Sequence, residues 1–309
     1  MSADHSTSHI VQSLFANAAI AIGKGVAAFL TGSGTLLAET IHSAADCGNQ
    51  LLLLLGVNRS RKAPDATHPL GYGRALYFWS FMVALLLFAG GGVFSIYEGI
   101  HKIGSPEPVE KVWVGLGILA GSLLIEGWAT LNNIRELNKR RGAVPFGRYL
   151  RETKDSDLIV VFGENAAATL GLVIALVALL LSYYTHDGRW DAIGSLAIGV
   201  VLVGVAVFLA VEVKSLLVGE AADPAIEKAV RELLPGHPHL EAMLELITVQ
   251  QGPGEVMVAL KVRFVPALTA NQVCEAINEL ETALRARCPE VRWCFVEPAL
   301  EATKRKKAA

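Results

Sequence analysis

The sequence predicts an α-helical membrane protein with six transmembrane helices, followed by a C-terminal cytoplasmic ferredoxin-like α+β domain of order α-β-β-α-β. Three observations predict it. Of 309 residues, 52% are hydrophobic and 18% charged, against about 45–50% and about 25% in soluble domains. The charge is unevenly placed, with 25 charged residues in the stretch 214–309 and 31 in the far longer stretch 1–213. Six apolar windows also reach the roughly 20 residues that a helix needs to cross a bilayer core. The expected division is therefore a membrane part over 1–213 and a globular part over 214–309.

The six windows are 9–31, 34–57, 75–100, 112–134, 158–184 and 190–213. The first, second and fifth carry polar residues and are expected to be the weakest by plain hydropathy. The N-terminus has neither the run of a cleavable signal peptide nor the Arg-rich pattern of a transit peptide. Orientation follows from Lys and Arg in the loops. Arg59, Arg61, Lys62 and Arg74 follow span two, and Arg135, Lys139, Arg140, Arg141, Arg148, Arg151 and Lys154 follow span four. The opposite loops hold only Lys102, Lys111 and Arg189. This places both termini in the cytoplasm and makes the Arg135–Lys154 cluster a topological anchor, with a lipid-binding patch as the alternative.

In the tail, Asp223-Pro224 opens a helix that ends before Pro235-Gly236. LELITVQ and EVMVALKVRF alternate like strands around the turn Gln251-Gly252-Pro253-Gly254, NQVCEAINELETALRARC is an amphipathic helix, and VRWCFVE is a last strand. The KRKKAA end reads as a disordered basic tail. The net charge of −2 argues against nucleic acid as a partner. Cys47, Cys274, Cys288 and Cys294 form no CxxC pair and read as free thiols. No catalytic constellation or permanently bound cofactor is indicated, so an enzyme is not expected.

Charged residues inside spans cost about 2.5–3.5 kcal/mol each at the helix centre, so each needs a reason. Glu39, His42 and Asp46 share one face of span two. His42 and Asp46, one turn apart, suit a divalent transition metal; a structural His–Asp pair is the alternative. Span five supplies Glu164 and Asn165, with Glu164 either a ligand, a partner of a basic group, or protonated. Lys24 in span one and Glu126 in span four are expected to neutralise one another. Glu98 lies near the outer end of span three, within reach of headgroups. In the loop APDATHPLGYGR, Asp65 and His68 form a second metal site or leave His68 merely solvated.

The segments SGTLLAETIHSAAD and APDATHPLGYGRALYF, with six spans and an α+β tail, resemble the cation diffusion facilitator family of divalent-metal/proton antiporters. Through AETIHSAADCGNQ and GENAAATLG the sequence looks most like the branch containing the mitochondrial zinc transporter. The resemblance implies a homodimer in the lipid bilayer, with a transport domain over 1–213 and a dimerisation domain over 214–309. It implies a transport site with His42 and Asp46 from span two. In span five, Thr169 and Gly171 set the register, placing Asn165 at the family's Asp and Val161 at its His. Glu164 then supplies the missing donor, giving a metal site of His42, Asp46, Glu164 and Asn165.

Asp65 and His68 match the family's loop ligands, but a further His is Tyr72 here. Leu244, Leu260 and Phe295 stand where some members carry metal-binding histidines, and only Glu297 keeps a ligand type. The tail is thus expected to dimerise without metal, with His237 and His239 solvated around Pro238. Arg74 is expected to pair with Glu220. The expected function is export of a divalent transition metal from the cytoplasm in exchange for H+, across a prokaryotic plasma membrane. The cargo expected first is Zn2+, with Mn2+, Fe2+, Co2+ and Cd2+ as alternatives; a non-transporting dimeric sensor or scaffold is the rival of a different class.

Overall fold

The computed structural model describes residues 3–106, 109–153, 156–233 and 237–301. The chain forms two compact units. One takes in residues 3–59, 75–151 and 156–214; the other takes in 60–74, 152–153 and 215–301.

Six long helices make up the first unit: Ala3–Thr31, Gly34–Ser60, Ala75–Gly104, Val112–Arg141, Ser156–Thr185 and Arg189–Val218. They correspond to the six windows, and span-length apolar character makes this a helical membrane protein. Four of them are long and apolar enough to cross a bilayer by composition alone, namely spans three to six. Span two falls short, as expected, because Glu39, His42, Asp46, Asn49 and Gln50 interrupt it. Span five does not: its most apolar 18-residue stretch has a mean hydropathy of 2.3, because a long Leu, Val and Ala run follows Glu164 and Asn165. The outward side chains include Phe29, Trp113, Leu124 and Trp128, all more than 60% exposed and suited to lipid.

Spans one and two are joined by a tight turn at Gly32, whose φ of +67° favours glycine. Span three carries a π-helical stretch over Leu87–Val93, where Ala-Gly-Gly-Gly interrupts the α-helical spacing. Its glycines bring span three against span six, backbone to backbone. A Cβ on Gly99 would lie 2.7 Å from the Leu196 nitrogen and 3.0 Å from the Ala192 carbonyl. Ser195 Oγ adds a hydrogen bond to the Ser95 carbonyl at 3.0 Å. A short helix, Phe146–Glu152, follows span four and has no counterpart in the sequence reading.

The tail runs α-β-β-α-β, with helix Pro224–Leu233, β1 (Leu240–Gly252), β2 (Glu255–Phe264), helix Ala270–Arg287 and β3 (Val291–Pro298). Strand β2 is central, antiparallel to β1 and parallel to β3. The parallel pairing requires the helical crossover between β2 and β3. Alternation along β2 sends Val256, Val258, Leu260 and Val262 into a core with Ile226, Val230, Leu280 and Leu284. The Asp223 side chain caps the first helix through the Ala225 amide at 2.7 Å, and Thr269 with Gln272 makes a capping box on the second. Leu260 is thus a core residue, whereas Phe295 is 55% exposed. His237 is not solvated as expected: only 12% exposed, its Nε2 stands 3.5 Å from Glu279. All four cysteines are free thiols. Lys154, Pro235-Gly236 and the KRKKAA end lie outside the described residues.

The loop 60–74 packs within the second unit. A Cβ on Gly73 would lie 2.7 Å from the Gln251 carbonyl and 3.1 Å from Gly252 Cα, so only glycine fits beside the hairpin tip. The Arg74 guanidinium lies alongside Gly219, whose φ is +119°.

Candidate metal centre in the membrane

Helical spacing sets Glu39, His42, Ser43, Asp46 and Asn49 along one side of span two, and the structure divides them into two groups. The first is closed. Lys24 Nζ donates to Glu39 Oε2, Ser43 Oγ and Glu126 Oε1, each at 2.9 Å. Lys24 and Glu39 are fully buried, and Glu126 is 15% exposed. The expected Lys24–Glu126 pair therefore forms, and Glu39 joins it rather than His42. A buried ion group of this kind holds only when its charges are paired and hydrogen-bonded.

The second group is open. His42 Nδ1 stands 3.6 Å from Asp46 Oδ1, and His42 is fully buried. Both ring nitrogens of His42, Asp46 Oδ1, both amide atoms of Asn49 and Glu164 Oε1 are buried and without a hydrogen bond. Glu164 sits beside Asn49 and within Coulombic reach of Asp46. Buried polar side-chain atoms are nearly always satisfied, so such a run along two facing helices marks a place built for a further polar partner.

Asn165 is held differently. Its backbone carbonyl accepts from Thr130 Oγ1 at 3.0 Å, and Thr130 shares a hydrogen bond with Thr169 Oγ1 at 2.7 Å, joining spans four and five. Val161 is 37% exposed. Among the described residues, no three His, Cys, Asp or Glu side chains converge closely enough to hold an ion.

The loop residues are also brought together, but their lone pairs are in use. Asp65 Oδ1 accepts from the Thr67 amide and hydroxyl and from the His68 amide, at 2.6–3.0 Å. Asp65 Oδ2 accepts from Tyr72 and Lys62. These donors, Thr67 and Tyr72 foremost, hold the Asp65 carboxyl far below the usual carboxylate range. His68 Nδ1 meets Thr67 Oγ1 at 2.9 Å.

Two features escaped the sequence reading. Asn49 follows His42 by seven residues, so the helical repeat carried its signal. Asp191 in span six gave none. Its carboxylate accepts from Ser33 Oγ, the Gly34 amide and Thr35 Oγ1, each at 2.5 Å, and from the Thr35 amide at 3.3 Å. It caps the start of span two from 156 residues away. Lys102 bonds the Gly32 carbonyl beside it and lies 3.9 Å from Glu98, so Glu98 belongs to this end cluster rather than to the headgroups.

A bundle of six long helices with an unsatisfied His-carboxylate-amide cluster at its centre, followed by an α+β tail, defines a polytopic membrane protein of the ion-handling kind. The chain belongs to the cation efflux, or cation diffusion facilitator, family: the profile of the cation efflux transmembrane domain matches residues 10–218. A human protein named as a mitochondrial proton-coupled zinc antiporter is 33% identical over 243 residues, covering 78% of this chain and 43% of the relative. An Arabidopsis thaliana metal tolerance protein is 30% identical over 264 residues, 84% of this chain and 57% of its own. A cation-efflux pump of Serratia proteamaculans is 26% identical over 267 residues, 86% of this chain and 83% of its own. The chain thus spans less than half the length of the human relative.

Proposed function

We propose that the chain is a proton-coupled antiporter that exports a divalent transition metal, zinc first among them, from the cytoplasm. The observation that carries this is the buried run of unsatisfied His42, Asp46, Asn49 and Glu164 atoms between spans two and five. Imidazole with carboxylate and amide oxygens is a donor set for a divalent transition ion. Asn165 completes the set from span five. Metal and protons compete for His42 and the carboxylates, so a site reached alternately from each face exchanges one for the other. The human relative's name joins zinc with proton coupling, which supports the same pairing here.

The functional unit is a homodimer, with residues 1–213 as the transport domain and 214–309 as a dimerisation domain. Leu260 in the tail core and the Lys261–Glu297 pair at 3.0 Å favour a tail that dimerises without metal. Asp65 and His68 act as the structural cap of the loop, because Asp65 spends its lone pairs on Thr67, His68, Tyr72 and Lys62. The Lys and Arg bias supports cytoplasmic termini, and the membrane is read as a prokaryotic plasma membrane. No covalent chemistry is involved.

A second reading has a specific observation behind it. One imidazole among oxygen donors suits harder ions better than a two-His site does, which favours manganese or iron as cargo. The test is flux in proteoliposomes across zinc, manganese, iron, cobalt and cadmium, with internal pH recorded. Metal uptake with proton counterflow, lost in His42→Ala and Asp46→Ala while the dimer stays intact, is expected. Undiminished flux in either variant removes span two from the mechanism, and no flux of any ion leaves a sensor or scaffold.

A further inference from the structure

We propose that Lys24 is a tethered resident cation: its ammonium fills an oxygen cage made by Glu39, Ser43 and Glu126 that would otherwise take a second divalent ion. The inference rests on the metal-transport reading, since it concerns how many cations the membrane interior accepts. Three oxygens from two helices surround Lys24 Nζ at 2.9 Å, with no exposure at Lys24 or Glu39. Each carboxylate gives one oxygen to the ammonium. Their second oxygens, Glu39 Oε1 and Glu126 Oε2, are buried and unpartnered. The cage therefore has more acceptor capacity than one ammonium uses.

Its place along span two matters as much as its composition. Glu39 and Ser43 bracket His42 in sequence, one turn towards the Gly34 end from Asp46, and one turn of helix is about 5.4 Å. An ion at the His42–Asp46 pair and an ion in the cage would be near neighbours on one side of one helix. With the lysine present, a dication at His42 has beside it a cage already filled by an ammonium rather than a second vacant carboxylate pair. Without it, two carboxylates and a hydroxyl remain, an all-oxygen set that favours hard ions such as Mn2+. Lys24 thereby limits occupancy to one dication per chain.

The test counts Mn2+ bound at equilibrium by the purified full chain, using electron paramagnetic resonance of the free ion. Lys24→Ala is expected to bind one more manganese ion per chain than the unsubstituted protein. Lys24→Arg keeps a cation in the cage and should leave the count unchanged, and Lys24→Ala/Glu126→Gln should return it to the starting value. Lys24→Ala that folds only when purified with Mn2+ also supports the cage. An unchanged count in Lys24→Ala, or loss of folding that manganese does not restore, overturns it. The difference between the two proteins is read independently of flux: an unsubstituted chain that binds no ion counts against the transport reading, while the increment still judges Lys24.

Discussion

Asp191→Ala removes the acceptor that holds the start of span two, and the structure sets the size of the effect. The first-turn amides of a helix have no intrahelical partner. Here the Leu36 amide is served by Ser33 Oγ at 3.2 Å, but the Gly34 and Thr35 amides depend on Asp191. The hydroxyls of Ser33 and Thr35 lie 2.9 Å apart and can satisfy one another when the carboxylate is gone. Two buried amides are then orphaned, at about 1–3 kcal/mol each, for an expected loss of about 2–6 kcal/mol. Asp191→Asn retains one carbonyl acceptor and should lose about half as much. Unfolding in mixed micelles measures the free energy, and hydrogen exchange read by mass spectrometry localises it to residues 33–36. A loss below about 1 kcal/mol for Asp191→Ala, less than one orphaned amide costs, would refute the assignment.

Two further outcomes follow from packing and burial. Gly99→Ala drives a Cβ into the backbone of span six, where nothing flexible can yield, and should cost about 3 kcal/mol by the same unfolding assay. Gly121→Ala in span four meets nothing within 4 Å and should be neutral or slightly stabilising; equal effects at the two positions would dismiss the backbone contact. Burial pushes the Cys294 thiol up to about 11, while Cys274 is exposed. Iodoacetamide at pH 8 should therefore alkylate Cys274 and spare Cys294 in the folded chain, since the thiolate is the nucleophile; equal rates would contradict the tail core.

The fold was legible because its determinants are local. Span length, the period-two alternation in EVMVALKVRF and the helix start at Asp223-Pro224 are each set by consecutive residues. The pairing of Lys24 with Glu126 was readable too, because two opposite charges inside apolar windows have few other destinations. What stayed hidden depends on juxtaposition. Asp191 looks like a helix-start acid of its own span, and only the folded bundle shows that it serves span two. His237 flanks a proline and reads as loop, yet helix Ala270–Arg287 brings Glu279 to it. The π-helical stretch of span three is coded by small residues whose purpose, contact with span six, lies more than 100 residues away. Span five misled in the other direction: two polar residues drew attention from a run otherwise among the most apolar in the chain.

The bundle is held together by two different kinds of contact, and their distribution bears on how a buried site could face first one side and then the other. Spans one, two and four are tied by hydrogen bonds of Lys24, and spans four and five by Thr130 with Asn165 and Thr169. Spans three and six are tied backbone to backbone at Gly99 and again at Gly199, where a Cβ would meet the Ile96 nitrogen at 2.7 Å. Between these two groups, away from Gly34, glycine contacts are with apolar side chains: Leu86 over Gly48, Leu76 and Trp79 over Gly56, and Leu209 over Gly163. Such contacts are non-directional and tolerate sliding, whereas hydrogen bonds and backbone contacts do not. Directional ties gather at the very start of span two, where Asp191 of span six holds Ser33, Gly34 and Thr35 and Lys102 of span three bonds the Gly32 carbonyl. Relative motion of the two groups would therefore cost least at the end of span two that carries Ser60 and most at Gly34. If the proposed transport cycle opens the His42–Asp46 pair towards the Gly34 end by moving span two from span six, the hydrogen bonds of Asp191 to Ser33, Gly34 and Thr35 are the ones it has to break.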